Sequence, residues 1–211
     1  METSYGKMVA QSVWMVWENI FDLVTRLRSE SIWRFGICKL VIRRHSGQRI
    51  VCHDGHQIAA GEWIGELHLD NQQVIELTRT VGADRAGIMT ARMLRRGMKQ
   101  ISEAMQRAPE LEKVRAITGI TLLHRGIVHG LGFEQHPITS KWARGCSKVY
   151  LRYLLRILHP EGKQRVKRAG EKLEPRMLVI SKQALFDRFS DKSKNKDVEK
   201  EKEKERRTIY I

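Results

Sequence analysis

The sequence predicts an α+β fold, a single domain in which helices pack on a mixed or antiparallel sheet. Three observations predict it. Between Arg34 and Asp70 short runs of β-formers alternate with turn dipeptides. From Arg85 to Arg107 apolar and small residues recur at helical spacing. Short β-like segments then return at Val114–Leu123 and Met177–Ile180, separated by further helical stretches. A length of 211 residues suits one domain with appendages, and four prolines leave room for regular elements around a core. We expect an N-terminal helix packed on the domain over residues 1–30, the α+β domain over 31–189, and a disordered charged tail over 190–211.

Taken in order, Met8–Arg28 reads as a helix. Val13, Trp14, Trp17, Ile20, Phe21, Val24 and Leu27 form one apolar face, and Glu18 and Asp22 exclude a signal peptide. Two tryptophans in one stripe suit a membrane interface, but core packing is the commoner use. Phe35–Ile42 reads as a strand, Ser46-Gly47 as a turn and Arg49–Cys52 as a second strand. Asp54-Gly55 is a hairpin-turn dipeptide, because glycine accepts positive φ without cost. Trp63–Leu69 is a further strand. Alternation places Ile64, Glu66, His68 and Asp70 on one face, and Trp63, Leu67 and Leu69 on the other. The region reads as a small antiparallel meander.

Asn71–Thr80 is a short helix with Asp70 or Asn71 placed to cap it. Gly82-Ala83-Asp84 interrupts it, and Asp84 is placed to cap the next helix, Arg85–Arg107. There Gly87, Ala91, Leu94, Met98, Ile101 and Met105 draw a stripe to be buried, and Ala108-Pro109 ends it. An extended segment begins near Gly130 and is closed by Pro137. Ser140 can cap a helix that runs to about His159. Lys182–Phe189 is a last short helix.

The formal charge is +15. An anionic partner is implied: nucleic acid, a membrane surface or a phosphorylated ligand. The tail misleads, since Asp191–Arg207 holds eight basic and six acidic residues. Its alternating Lys/Glu run has no apolar residue to bury. The excess lies instead in Lys141–Arg176, with eleven basic against three acidic residues, and in Arg85–Arg115, with eight against three. Along Lys141–His159, Lys141, Arg144, Lys148, Arg152 and Arg156 draw a basic stripe beside a broad apolar arc. An interfacial helix has this pattern, and so has a buried helix with one wet edge. Lys163, Arg165, Lys167 and Arg168 add a compact cluster fit for anionic lipid or phosphate. The aromatic residues sit in apolar stripes rather than among the basic ones, which argues against nucleic acid as the partner.

Three scattered cysteines make no disulfide framework, so a reducing compartment is the default. No apolar run reaches the roughly 20 residues of a spanning helix. The expected place is cytoplasmic, with peripheral contact at the inner face of the membrane. Cys146 falls on a helix face and reads as core rather than nucleophile.

Two constellations carry possible chemistry. Glu66, His68, Asp70 and Asn71 close one strand, and carboxylate–imidazole alternation on one face suits acid–base work, ligand binding or plain solvation. His124 and Arg125 stand at a strand end, where Arg125 can hold a phosphate or carboxylate bidentately. Glu66, His68 and His124 are the catalytic candidates; Asp70, Asn71 and Arg125 are the ligand-binding ones. His53 and His56 flank a turn but lack a third ligand in the sequence, so no metal site is expected. There is no P-loop, G-x-G-x-x-G or G-x-S-x-G, and no motif specifies a cofactor.

Taken together, three stretches carry a family resemblance. They are Gly61–Asn71, then Ile117–Gly126 with Leu131-Gly132-Phe133, then Tyr150–Leu155 leading to Leu158–Gly162. In this order they resemble the YkoP-like family of Bacillus-type bacteria, over about Trp14 to Phe189. The resemblance implies cell-envelope carbohydrate work, because such domains occur alone or attached to polysaccharide deacetylases. The family pattern does not require histidine at positions 53 and 56. The chain has no room for a deacetylase barrel and no deacetylase metal motif, so that activity does not carry over. The expectation is an accessory or binding protein in cell-envelope polysaccharide or lipid-linked sugar metabolism. Its expected partners are an anionic lipid or phosphate-bearing glycolipid, and a polysaccharide deacetylase. The alternatives are a small transferase-like enzyme using Glu66, His68, His124 and Arg125, and a nucleic-acid-binding protein.

Overall fold

The computed structural model describes residues 29–121, 130–158 and 174–190. The helix expected over Met8–Arg28 and the charged tail lie outside them. Among the described residues, eight strands form a six-stranded sheet and a separate two-stranded hairpin, with helices packed on one face of the sheet. The fold is α+β with a mixed sheet.

β1 (Ser31–Phe35) turns through Gly36 into β2 (Cys38–Arg44). The sequence reads Phe35–Ile42 as one strand; the chain reverses there instead. The reversal needs positive φ, and Gly36 adopts +58°. β3 (Ile50–Val51) and β4 (Gln57–Ile58) form the small hairpin, with Gly55 at φ +83° in its turn. β5 (Trp63–Leu69) pairs antiparallel with β2 and parallel with β6 (Ala116–Thr121). A parallel step needs a crossover. Here it is supplied by α1 (Asn71–Val81), α2 (Ala83–Arg107) and α3 (Pro109–Glu112). β7 (Glu134–His136) and β8 (Arg176–Ser181) complete the order β1-β2-β5-β6-β8-β7. α4 (Lys141–Leu158) precedes β8, and α5 (Lys182–Phe189) follows it.

One face of the sheet carries the main core. Leu94, Met98, Ile101 and Met105 of α2 pack on Cys38, Leu40, Ile42, Leu67, Leu69, Ile117 and Ile180, joined by Leu185 and Phe189 of α5. The stripe read from α2 holds from Leu94 onward. Gly87 and Ala91 are exposed, and Ala86 is the buried residue beside α1. Asp84 does not cap α2. Gly82, at φ +81°, ends α1 and starts α2, which leaves Asp84 in the first turn, where its charge suits the helix dipole. Cys146 on α4 is exposed, as is Val149, so the core position read for this cysteine does not hold. Among the side chains of α4 that are described, none is fully buried.

The opposite face is polar at its ends and apolar in the middle. There the β3–β4 hairpin lays Ile50, Cys52 and Ile58 on Ile64, Ala116 and Val179.

Candidate functional site

The strand β5 builds the first cluster by alternation. Trp63, Leu67 and Leu69 turn into the main core, so Glu66 and His68 must emerge on the other face. His68 Nε2 lies 3.6 Å from Glu66 Oε1. Arg43 of β2 donates from Nε to Glu66 Oε2. Asp70 does two jobs. Its Oδ1 accepts from the backbone N–H groups of Gln72 and Gln73, at 3.2 and 3.3 Å, and so caps α1. Its Oδ2 faces Arg34 at 3.8 Å and Lys39 at 3.9 Å. Asn71 is the first residue of α1. Glu66, His68, Asp70 and Asn71 are thus together. His124 and Arg125 lie outside the described residues.

A second cluster joins the hairpin to the far edge of the same face. Cys52 Sγ and carboxylate oxygens of Asp54 and Glu134 lie within 4.8 Å of one another, the spacing of groups able to share one cation. Both oxygens of Glu134 accept from the backbone N–H of His53, at 2.9 and 3.0 Å. His136 Nε2 is 3.2 Å from Glu134 Oε2. Ser181 donates its hydroxyl to Asp54 Oδ2. His56 Nδ1 stands 3.2 Å from that same oxygen. Burial, then the charges of Glu134 and Asp54, push the Cys52 thiol up to about 12, so it is protonated at neutral pH. Partial burial pushes the Asp54 carboxyl up, but the hydrogen bonds from Ser181 and the His56 backbone outweigh it and hold this group below its ordinary range.

Strand register connects the clusters. Glu66 is paired with Thr118, Thr118 with Val179 and Val179 with Glu134, so all four share one cross-strand row. Two residues along, Met177 pairs with His136, and alternation brings Ile120 and His68 to the same face. Glu66-x-His68 and Glu134-x-His136 therefore lie on parallel strands, facing the same way. Three inter-strand steps separate them, roughly 14 Å. Between them Thr118 and Val179 are buried, and one step along the strands Ile120, 39% exposed, and the partly buried Met177 form a floor.

Sequence reasoning did not find Glu134, His136 or Ser181. The available signal was the Glu-x-His alternation itself, repeated at 66–68 and 134–136. The third polar partner that His53 and His56 lacked in the sequence stands 81 residues away in the chain. A surface groove lined by Gly132, Ala184, Asp187 and Arg188 shares no residue with either cluster.

The basic residues of α4 are placed only in part. Lys148 donates to Glu174, and Arg152 is half-buried with a Nε that has no hydrogen-bond partner. The side chain of Arg156, and Lys163, Arg165, Lys167 and Arg168, lie outside the described residues. Among the described residues no helix is long and apolar enough to cross a membrane.

Residues 7–189 match the family model of the YkoP domain. The chain belongs to the YkoP domain family. It is 27% identical to "Uncharacterized protein YkoP" of Bacillus subtilis (strain 168) over 139 residues, which cover 65% of this chain and 75% of that protein. No solved structure matches. The YkoP match spans the whole described sheet, so both Glu-x-His strands belong to the domain.

Proposed function

We propose that this YkoP domain is an accessory or binding protein of cell-envelope polysaccharide or lipid-linked sugar metabolism. It takes its glycan on the part of the sheet face opposite the main core that the β3–β4 hairpin leaves uncovered, along Ile120 and the partly buried Met177 between His68 and His136. The observation that carries this reading is the pair of in-register Glu-x-His strands at the ends of a partly exposed Ile120–Met177 floor. Sugars present an apolar C–H face and a rim of hydroxyls. A floor of aliphatic side chains takes the former, and carboxylates and imidazoles take the latter. The carbohydrate class comes from the resemblance to domains that occur beside polysaccharide deacetylases. A peripheral place on anionic membrane, with a phosphate-bearing glycolipid as ligand, rests on the basic composition of the run Lys163, Arg165, Lys167 and Arg168.

Calorimetric titration of the full chain with N-acetylated hexosamine oligosaccharides and with a polyprenyl-phosphate sugar tests the reading. Binding that weakens at least tenfold in Glu66→Gln and His68→Ala, with folding intact, is the expected result. Absence of binding to both ligand types, or unchanged affinity in both variants, overturns it. Flotation with vesicles of neutral and of anionic lipid at low salt separates membrane attachment from sugar binding. A small transferase-like enzyme is the second reading, favoured by the imidazole of His68 standing 3.6 Å from the Glu66 carboxylate, an acid–base pair that a small side-chain shift brings into hydrogen-bond reach. Turnover of a sugar-phosphate donor that vanishes in His68→Ala distinguishes it from a binding domain.

A further inference from the structure

We propose that Cys52, Asp54, Glu134 and His136 form a binding site for a zinc-class divalent transition metal, which clamps the β3–β4 hairpin onto β7. The inference is independent of the glycan reading.

The donor atoms come first. Cys52 follows β3, Asp54 sits in the hairpin turn, and Glu134 and His136 stand on β7. Three of them already bring ligand atoms within 4.8 Å of one another. Four ligands around a tetrahedral ion at about 2.0–2.3 Å lie on the order of 3.5 Å apart, a small side-chain rotation away. Two imidazole nitrogens stand 3.2 Å from the set, His136 Nε2 from Glu134 Oε2 and His56 Nδ1 from Asp54 Oδ2. His136 is the more buried, 19% exposed against 56%, so the fourth ligand is assigned to it. It is also preferred to His53, whose side chain is 85% exposed. His56 stands at the outer side.

Charge is the second consideration. The chain carries +15, yet among the described residues no lysine or arginine pairs with Asp54 or Glu134. Only imidazoles do. Glu134 is 8% exposed and Cys52 3%. A buried carboxylate held against a second carboxylate and a thiol is costly unless a cation compensates it. The salt-bridging cations of this face are spent elsewhere, Arg43 on Glu66 and Arg34 and Lys39 on Asp70.

The surroundings orient the ligands. His53 donates its backbone N–H to both oxygens of Glu134, and Ser181 donates its hydroxyl to Asp54. Such outer hydrogen bonds fix which lone pairs face an ion. The ligand chemistry selects the metal. A thiolate and an imidazole with two carboxylates suit zinc or cobalt; magnesium and calcium prefer oxygen alone. On binding, Cys52 coordinates as the thiolate and its proton leaves to solvent.

Titration of the metal-free full chain with Co²⁺ tests this. One equivalent per chain is expected, with a thiolate-to-cobalt charge-transfer band in the near ultraviolet that Zn²⁺ abolishes and millimolar Mg²⁺ does not. Cys52→Ser removes the band. Glu134→Gln weakens binding at least tenfold. Glu66→Gln binds as the wild type does. Should Cys52→Ser or Glu134→Gln fail to fold, the wild-type spectrum decides alone. No stoichiometric binding, or binding without the charge-transfer band, overturns the proposal.

Discussion

At position 97, on α2, there is no room for a side chain. A Cβ there would stand 2.6 Å from Cys38 Sγ and 3.0 Å from the backbone oxygen of Phe35. The helix lies this close because β1 turns into β2 directly beneath it. Gly97→Ala is expected to destabilise the fold by about 1–3 kcal/mol despite alanine's better helix propensity, as overpacking does. Urea unfolding measures it. Adding Cys38→Ala should recover part of the loss, since the sulfur is the nearest of the obstacles. Nothing in the run Arg95-Arg96-Gly97-Met98 marks this glycine, because the obstacle belongs to a turn sixty residues earlier. Glu66 and His68 are the opposite case. Their side of the sheet follows from alternation with Leu67 and Leu69, which the structure places in the main core.

Among the elements, α1 shows how much one terminal residue controls. Asp70 supplies its N-cap through two backbone N–H groups and also faces Arg34 and Lys39. Asp70→Ala is expected to cost about 1 kcal/mol, typical of a lost cap. Asp70→Asn should retain most of that, because its side-chain oxygen still accepts. Thermal unfolding of the two variants separates capping from ion pairing. The boundaries of β5, α1 and α5 were legible to within a residue or so, because strong turn or cap residues stand at their ends. β1 and the turn at Gly36 were not. Phe35-Gly36-Ile37-Cys38 has the composition of a continuous strand, and only pairing of the two halves reveals the reversal.

At the scale of the whole molecule, Lys148 of α4 is joined to Glu174, just ahead of β8. The hydrogen bond from Lys148 holds the Glu174 carboxyl below its ordinary range. The folded value is thus below the unfolded one. The contribution is present above the unfolded pKa and is lost as pH falls through the folded value. The difference in unfolding free energy between wild type and Glu174→Gln should be small at neutral pH and vanish on acidification below the carboxylate range. It should also shrink at high salt, as exposed pairs do. Urea titrations at a series of pH values follow it.

By itself the sequence determined most of the described strands and helices, β1 excepted, which residues of β5 share a face, and where the net charge lies. These are local properties, written in alternation, in 3.6-residue spacing and in turn residues. The strand order β1-β2-β5-β6-β8-β7 and the alignment of Glu66 with Glu134 were decided only by tertiary structure. So was the meeting of Cys52 and Asp54 with Glu134. The reason is physical. Glu134 comes into register only through β8, which follows it by about forty residues. A slip of one residue in that pairing would turn Glu134 and His136 to the other face.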